Sequence, residues 1–283
     1  MSQYAHPEVL VDPQWLMAHL QDSNLRILEV AMSPETYRNS HIPGAVFWHI
    51  GTELMTPDMS LNLDPTVFSS LLSKSGITAD TTVVAYGSYP GTSAFMFWLF
   101  KLFGHHNIKV LNGGYQQWIA TGGPVIPELS TVSATEYPLE APDASLRVLS
   151  AEVLTALDRP DQVLLDVRTQ AEFAGDIYLM EPPQGGEVGG HIPGAVHLDH
   201  ARTLNEDGTF KSADELQALF QQQGITADKE IFPYCAIGGR SAYTWFVLKY
   251  LLGYPQVRNY DGSWREWSRL PNVPIQRSQT TPL

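Results

Sequence analysis

The hexapeptide HIPGAV stands at residues 41–46 and again at 191–196, and this duplication limits the fold more than any other feature of the chain. GITAD recurs in the same order, at 76–80 and 224–228. After each GITAD come a short apolar run, a glycine-containing turn and an aromatic-rich stretch: TVVAYGSYPGTSAFMFWLFKLFG in the first copy, EIFPYCAIGGRSAYTWFVLKYLLG in the second. Each copy then closes on a Gly-Trp element, NGGYQQW (Gly113, Trp118) and DGSWREW (Gly262, Trp267). Motif pairs in one order at an offset of about 150 residues indicate two homologous domains, because the period is far too long for a stacked solenoid repeat. The stretch between them is rich in Pro, Ser and Thr and has no helical periodicity, so it reads as a surface linker. The expected division is 1–123, a linker 124–146, and 147–283.

Within each copy, strand-like and helix-like runs alternate. RILEV (26–30) and VLLDV (163–167) are the short apolar runs expected of buried parallel strands. Asp12 and Ser150 read as helix N-caps, with Pro13 at the first helical position. Ser212 and Glu215 form a capping box on a helix that stops at Gly224. The alternation predicts α/β domains, each a central, mostly parallel sheet with helices on both faces. Pro233 fits a strand only where its missing N–H faces no ladder bond.

The 283 residues, 43% hydrophobic, suffice for two cores. A net charge of −13 disfavours nucleic acid as a partner, since phosphate binding needs a cationic face. No run approaches the ~20 apolar residues of a membrane span; SAFMFWLFKLFG is too short and carries Lys101. The first residues lack a basic segment followed by an apolar core, so no membrane partner is expected and the expected location is cytoplasmic.

The single cysteine, Cys235, excludes intrachain disulfides and Cys-based zinc clusters, and leaves no resolving thiol in the chain. It ends the run EIFPY and precedes a helical pattern that starts near Arg240 or Ser241 and closes at Gly253. The carboxyl edge of an open α/β sheet is where ligands bind. Gly238 and Gly239 can take positive φ and turn backbone N–H groups inward, and with the helix N-terminus and Arg240 they suit an anion. The same field favours the thiolate, which is the nucleophile. In the first copy Gly87 replaces Cys235 and Thr92 replaces Arg240, so only the second copy is expected to be active.

LLDVRTQAEF, GHIPGAVHL and YCAIGGRSA, in this order, resemble the signatures of rhodanese-type sulfurtransferases. Two copies with a cysteine only in the second resemble the tandem-domain thiosulfate and 3-mercaptopyruvate sulfurtransferases. The resemblance runs from about Leu10 to Trp267 and implies a ping-pong reaction without metal or organic cofactor. Cys235 takes sulfur from a small anionic donor as a persulfide and passes it to cyanide or a thiol. The loop N–H groups of Ala236, Ile237, Gly238, Gly239, Arg240 and Ser241 would hold the persulfide sulfur, as an oxyanion hole holds oxygen. Related phosphatases have one more loop residue; the four between Cys235 and Arg240 favour sulfur over phosphate or arsenate chemistry. Mercaptopyruvate enzymes carry Gly-Ser after the cysteine and Gly-Val-Thr at the loop's end, where this chain has Ala236-Ile237 and Gly239-Arg240-Ser241. Mitochondrial-type thiosulfate enzymes carry Arg-Lys after the cysteine, also absent. Both groups have an arginine at the position of Glu172. The donor anion is thus left to Arg240, the backbone and Arg168 as a further substrate ligand. Arg240 is compatible with a dianion, which favours thiosulfate over 3-mercaptopyruvate. The reading from another class is a silent module that binds a protein, which the joint presence of Cys235, the glycines and Arg240 opposes.

His41 and His191 occur in both copies and are expected to be structural, like the acids Glu29 and Asp166. Trp264 and Trp267 read as core, since Trp118 matches the latter. Residues 175–190 have no counterpart in the first copy and could line a cleft or form a surface loop.

Overall fold

A computed structural model describes residues 3–87, 90–138, 140–157 and 159–277, apart from the Pro90 side chain. The first unit has strands β1 (Leu10–Val11), β2 (Leu25–Ala31), β3 (Ala45–His49), β4 (Thr82–Tyr86) and β5 (Ile108–Leu111). Its helices are α1 (Pro13–His19), α2 (Glu35–Asn39), α3 (Pro65–Lys74), α4 (Pro90–Leu102) and α5 (Gly114–Ala120). The strands form one all-parallel sheet in the order β1-β5-β4-β2-β3. The second unit has β6 (Gln162–Asp166), β7 (Val196–His197) and β8 (Glu230–Tyr234), parallel in the order β7-β6-β8. Its helices are α6 (Ser150–Ala156), α7 (Gln170–Ala174), α8 (Ala213–Gln221), α9 (Gly239–Phe246) and α10 (Ser263–Trp267). Beyond β8 the sheet continues as two single parallel bridges, Ile231 to Val257 and Arg147 to Asn259, where the first unit has β5 and β1. Both units are thus α/β with parallel sheets, as the alternation predicts. Among the described residues no helix is long and apolar enough to cross a membrane.

The cores repeat residue for residue. Val11, Ile27, Ile42, Tyr86 and Trp118 cluster in the first unit, and Val148, Leu164, Ile192, Tyr234 and Trp267 in the second. Both terminal tryptophans are fully buried and donate Nε1–H to a following proline region, Trp118 to Pro124 O and Trp267 to Pro274 O. These are core roles, as expected. Pro233 lies in β8, and its carbonyl accepts from Tyr260, so its missing N–H faces the frayed side rather than β6.

One expectation needs correction, and the linker and the units carry detail beyond the sequence. Ser150 is the first residue of α6; its N-cap is Leu149, whose N–H donates to Glu152 Oε2 at 3.1 Å. Asp12 and Ser212, by contrast, cap their helices through their side chains. The linker is not free. Ile126 exchanges both backbone bonds with His41, Thr135 donates to Ser73 O, and Asp143 donates to Leu102 O, so the described residues of 124–143 strap the first unit. An extended segment satisfies its backbone polar groups in this way. Finally, the compact units interleave in sequence. Residues 204–210 belong to the first unit, where Phe210 donates to Asn112 Oδ1 and Gln117 Nε2 to Asp207 Oδ2. Residues 3–5 belong to the second, where Tyr4 donates to Lys211 O and Ala5 to Leu251 O.

Each HIPGA turn hangs on a buried tyrosine. Tyr86 Oη accepts from Ile42 N–H at 3.3 Å, and Tyr234 Oη from Ile192 N–H at 3.1 Å. His41 Nδ1 donates to Tyr37 O at 2.5 Å, and His191 Nδ1 to Phe173 O at 2.7 Å, each ring stacked on that same aromatic residue. The histidines share one structural task. Tyr86 also donates to Glu29, and the equivalent acid in the second unit, Asp166, is paired with Arg168. Glu29 has alanine where Asp166 has arginine, so burial pushes Glu29 up to about 7, with the Tyr86 hydroxyl pulling partly back. The folded chain therefore holds a proton that the unfolded chain releases near its ordinary 4.5. Stability should fall as pH rises from about 4.5 to about 7, by up to about 3 kcal/mol. Glu29→Gln should remove that slope and exceed the wild type in stability at pH 8, measured by urea unfolding across the range. Parallel pH profiles would mean that Glu29 is ionised in the fold.

Candidate active site

Cys235 follows β8 at its carboxyl end and is 1% exposed. Its backbone is held on three sides. The N–H donates to Ser263 Oγ at 3.0 Å, the C=O accepts from Trp264 at 2.9 Å, and the next carbonyl, Ala236, accepts from Arg265 at 3.0 Å. The first residues of α10 thus clamp the start of the loop.

The chain then turns at Gly238, with φ of +94°, which caps α9. This conformation aims the Gly238 N–H at Cys235 Sγ, 3.1 Å away. The Gly238 carbonyl is tied from the other side by Ser241 Oγ at 3.0 Å and by Ala242 N–H at 3.1 Å. Ser241, fully buried, is thereby a fastener of the loop. Gly239 is not among the residues of positive φ; it is the first residue of α9, and a Cβ there would meet nothing within 4 Å. Only one of the two glycines is needed for the turn. Ile237 and Gly239 are partly exposed, whereas Ala236 is buried.

The cations are placed differently from expectation. Arg240, at the end of the loop, forms a two-pronged pair with Glu172, Nη1 to Oε2 at 2.8 Å and Nη2 to Oε1 at 2.6 Å. Burial alone would disfavour its charge, but the Glu172 hydrogen bonds and the charges of Cys235, Glu172 and Asp166 more than offset this and hold it firmly protonated. Glu172 is buried too; that pushes it up, yet Arg240 and the Thr169 donors keep it below the ordinary carboxylate range. Arg168 is 1% exposed. Its Nε and Nη2 donate to Asp166, Nη2 also reaches Gly190 O at 2.7 Å, and the guanidinium lies over the Trp264 ring. This is not the open guanidinium expected of a substrate ligand. It ties the strand end to Gly190, the last residue of the 175–190 segment, whose Val188 carbonyl accepts from Trp264 Nε1.

The profile of the rhodanese-like domain matches residues 12–121 and 149–270. The chain belongs to the rhodanese family. It is 42% identical to the sulfur carrier protein TtuD of Thermus thermophilus over 98% of this chain and 99% of that one. It is 39% identical to a putative thiosulfate sulfurtransferase of Haloferax volcanii, over 98% of each. Among solved structures, a cysteine-persulfide form of EanB with ergothioneine shares the fold with a TM-score of 0.88 at 25% identity, covering 99% of this chain and 73% of that one.

Two residues support this rhodanese loop in ways that escape sequence reading. Glu172 is noted in sequence only as an acid where related enzymes carry arginine; its pairing with Arg240, 68 residues away, is visible only in three dimensions. Ser263 is fully buried with φ of +56°, a left-handed backbone uncommon for a non-glycine. Its hydroxyl accepts from Cys235 N–H, donates to Tyr260 O at 2.8 Å and lies 3.9 Å from Sγ. The first unit has Gly114 at this position with φ of +58°, and Tyr115 donates to Gly87 O as Trp264 does to Cys235 O. There a Cβ on Gly114 would stand 2.7 Å from Gly87 O, and one on Gly87 2.7 Å from Val30 O, so that loop leaves no room for a thiol or a serine. The signal was present in the repeats: Gly87, Thr92 and Gly114 change together to Cys235, Arg240 and Ser263. Ser263→Ala keeps the backbone strain but strands the buried Cys235 N–H. It should cost about 1–3 kcal/mol in urea unfolding; unchanged stability would show that the hydroxyl does not hold Cys235.

Proposed function

We propose that the second unit moves a sulfane sulfur from an anionic donor, thiosulfate foremost, to cyanide or a thiol through a Cys235 persulfide. The observation that carries this reading is the Gly238 N–H lying 3.1 Å from Cys235 Sγ, in a loop that ends in Arg240. The Cys235 thiolate attacks the outer sulfur of thiosulfate; the new S–S bond forms as the old one breaks, and sulfite leaves with the bonding electron pair. The terminal persulfide sulfur carries the negative charge, and N–H groups of residues 236–241 stabilise it. Cyanide then attacks that sulfur, thiocyanate leaves, and the thiolate is restored. With one cysteine in the chain, no internal thiol reduces the persulfide, so an external acceptor must take the sulfur.

Ser241, Ser263 and Arg168 act by position in this scheme. Ser241 and Ser263 hold the loop's backbone, and Arg168 holds Asp166 and Gly190, leaving Arg240 as the loop's charged side chain. The name of the Haloferax relative supports thiosulfate as donor. One observation favours 3-mercaptopyruvate instead: Arg240 is already paired with Glu172, which weakens its claim on a dianion.

Thiocyanate formation from cyanide, measured with each donor, tests the reading. Cys235→Ser should lose at least about a thousandfold in rate. Donor-treated wild type should gain about 32 Da and the variant nothing. A folded wild type that transfers no sulfur from either donor would instead support the silent protein-binding module.

A further inference from the structure

Two negative groups compete for the one loop cation. Arg240 is 25% exposed and Glu172 3%, and the pair is two-pronged, at 2.6 and 2.8 Å. Glu172 cannot swing away. Its Oε2 also accepts from the Thr169 N–H at 3.0 Å and the Thr169 hydroxyl at 2.9 Å, which fixes the carboxylate at the first turn of α7. Releasing it from Arg240 would leave a buried charge unpaired, so the pair persists when a donor arrives. Asp166 and Arg168 cancel each other nearby. With Cys235 as thiolate, the loop's charged side chains therefore sum to one net negative charge before any donor binds.

We propose that Glu172 is the residue that sets the donor-charge preference of this site, restraining dianionic donors relative to singly charged ones. This rests on the sulfur-transfer reading above. Coulomb energy is linear in the charge of the ligand, so removing the Glu172 charge changes the affinity for a dianion by the square of the factor found for a monoanion. Any effect of the same substitution on the reactivity of the thiol acts on both donors alike and cancels in their ratio.

The test compares kcat and KM for thiosulfate, a dianion, and 3-mercaptopyruvate, a carboxylate monoanion, in the wild type, Glu172→Gln and Glu172→Gln/Arg240→Gln, with thermal melts of all three. Glutamine keeps an oxygen for Thr169 and loses the charge. The single variant should lower KM for thiosulfate about tenfold and for 3-mercaptopyruvate about threefold, with kcat for both moving by a common factor. Equal changes in KM for the two donors, or equal losses in both, would reduce Glu172 to a structural support and overturn the proposal. If Glu172→Gln fails to fold, the double variant decides, because it removes the pair as a neutral unit. The thiosulfate to 3-mercaptopyruvate ratio of kcat/KM should then stay within about twofold of the wild type. A tenfold drop in that ratio would show Arg240 acting as an unmasked anion ligand, against the proposal. A wild type that forms no thiocyanate from either donor and gains no mass on Cys235 removes the sulfur-transfer reading itself. A charge-blind ratio in an active enzyme removes only the role of Glu172.

Discussion

The backbone bond from Trp264 N–H to Cys235 O is the constraint on which the site depends. A parallel strand ends with its last carbonyls pointing past the sheet, and something must receive the chain as it leaves. In this chain α10 does so, and the first unit repeats the arrangement with Tyr115 and Gly87. With the loop start fixed, the left-handed turn at Gly238 brings an N–H to the sulfur. Ser263 is the cost of the arrangement: a side chain on a backbone where the other unit has glycine, retained where its hydroxyl meets the Cys235 N–H.

The two units also show two answers to one buried acid. A buried carboxylate, Glu29 on β2 and Asp166 at the end of β6, lies against the tyrosine that anchors the HIPGA turn of its unit. The second unit pairs its acid with Arg168, with further bonds that satisfy the guanidinium. The first unit supplies the Tyr86 hydroxyl in place of a cation, and burial keeps the proton on Glu29. An ion pair of this depth adds little net stability, but breaking it exposes the full desolvation penalty. That explains why Arg168 is unavailable to a ligand, although it stands at the edge of the sheet where ligands bind.

What was legible in the sequence was what depends on neighbours along the chain. The strands RILEV and VLLDV, the caps at Asp12 and Ser212, and the strand–loop–helix around Cys235 follow from periodicity and local hydrogen bonding, and all are present. The duplication made the tryptophans and HIPGA histidines readable as structural, because the inert repeat keeps them. What was not legible depends on distant partners or on dihedral angles. Arg240 looked like a free cation because its carboxylate lies 68 residues earlier. Gly239 looked like a turn residue because composition cannot say which of two adjacent glycines takes positive φ. Ser150 looked like a cap because a carboxylate three residues past Leu149 can do the same work from inside the helix.

The interleaving of the units has a consequence for how the chain can be divided. A first unit built from residues 6–143 alone could be separated by a single cut. This one also holds residues 204–210, and the second unit holds residues 3–5. A cut between residues 143 and 144 therefore takes from each unit a segment that it hydrogen-bonds: Phe210 from Asn112 of the first, Tyr4 from Lys211 of the second.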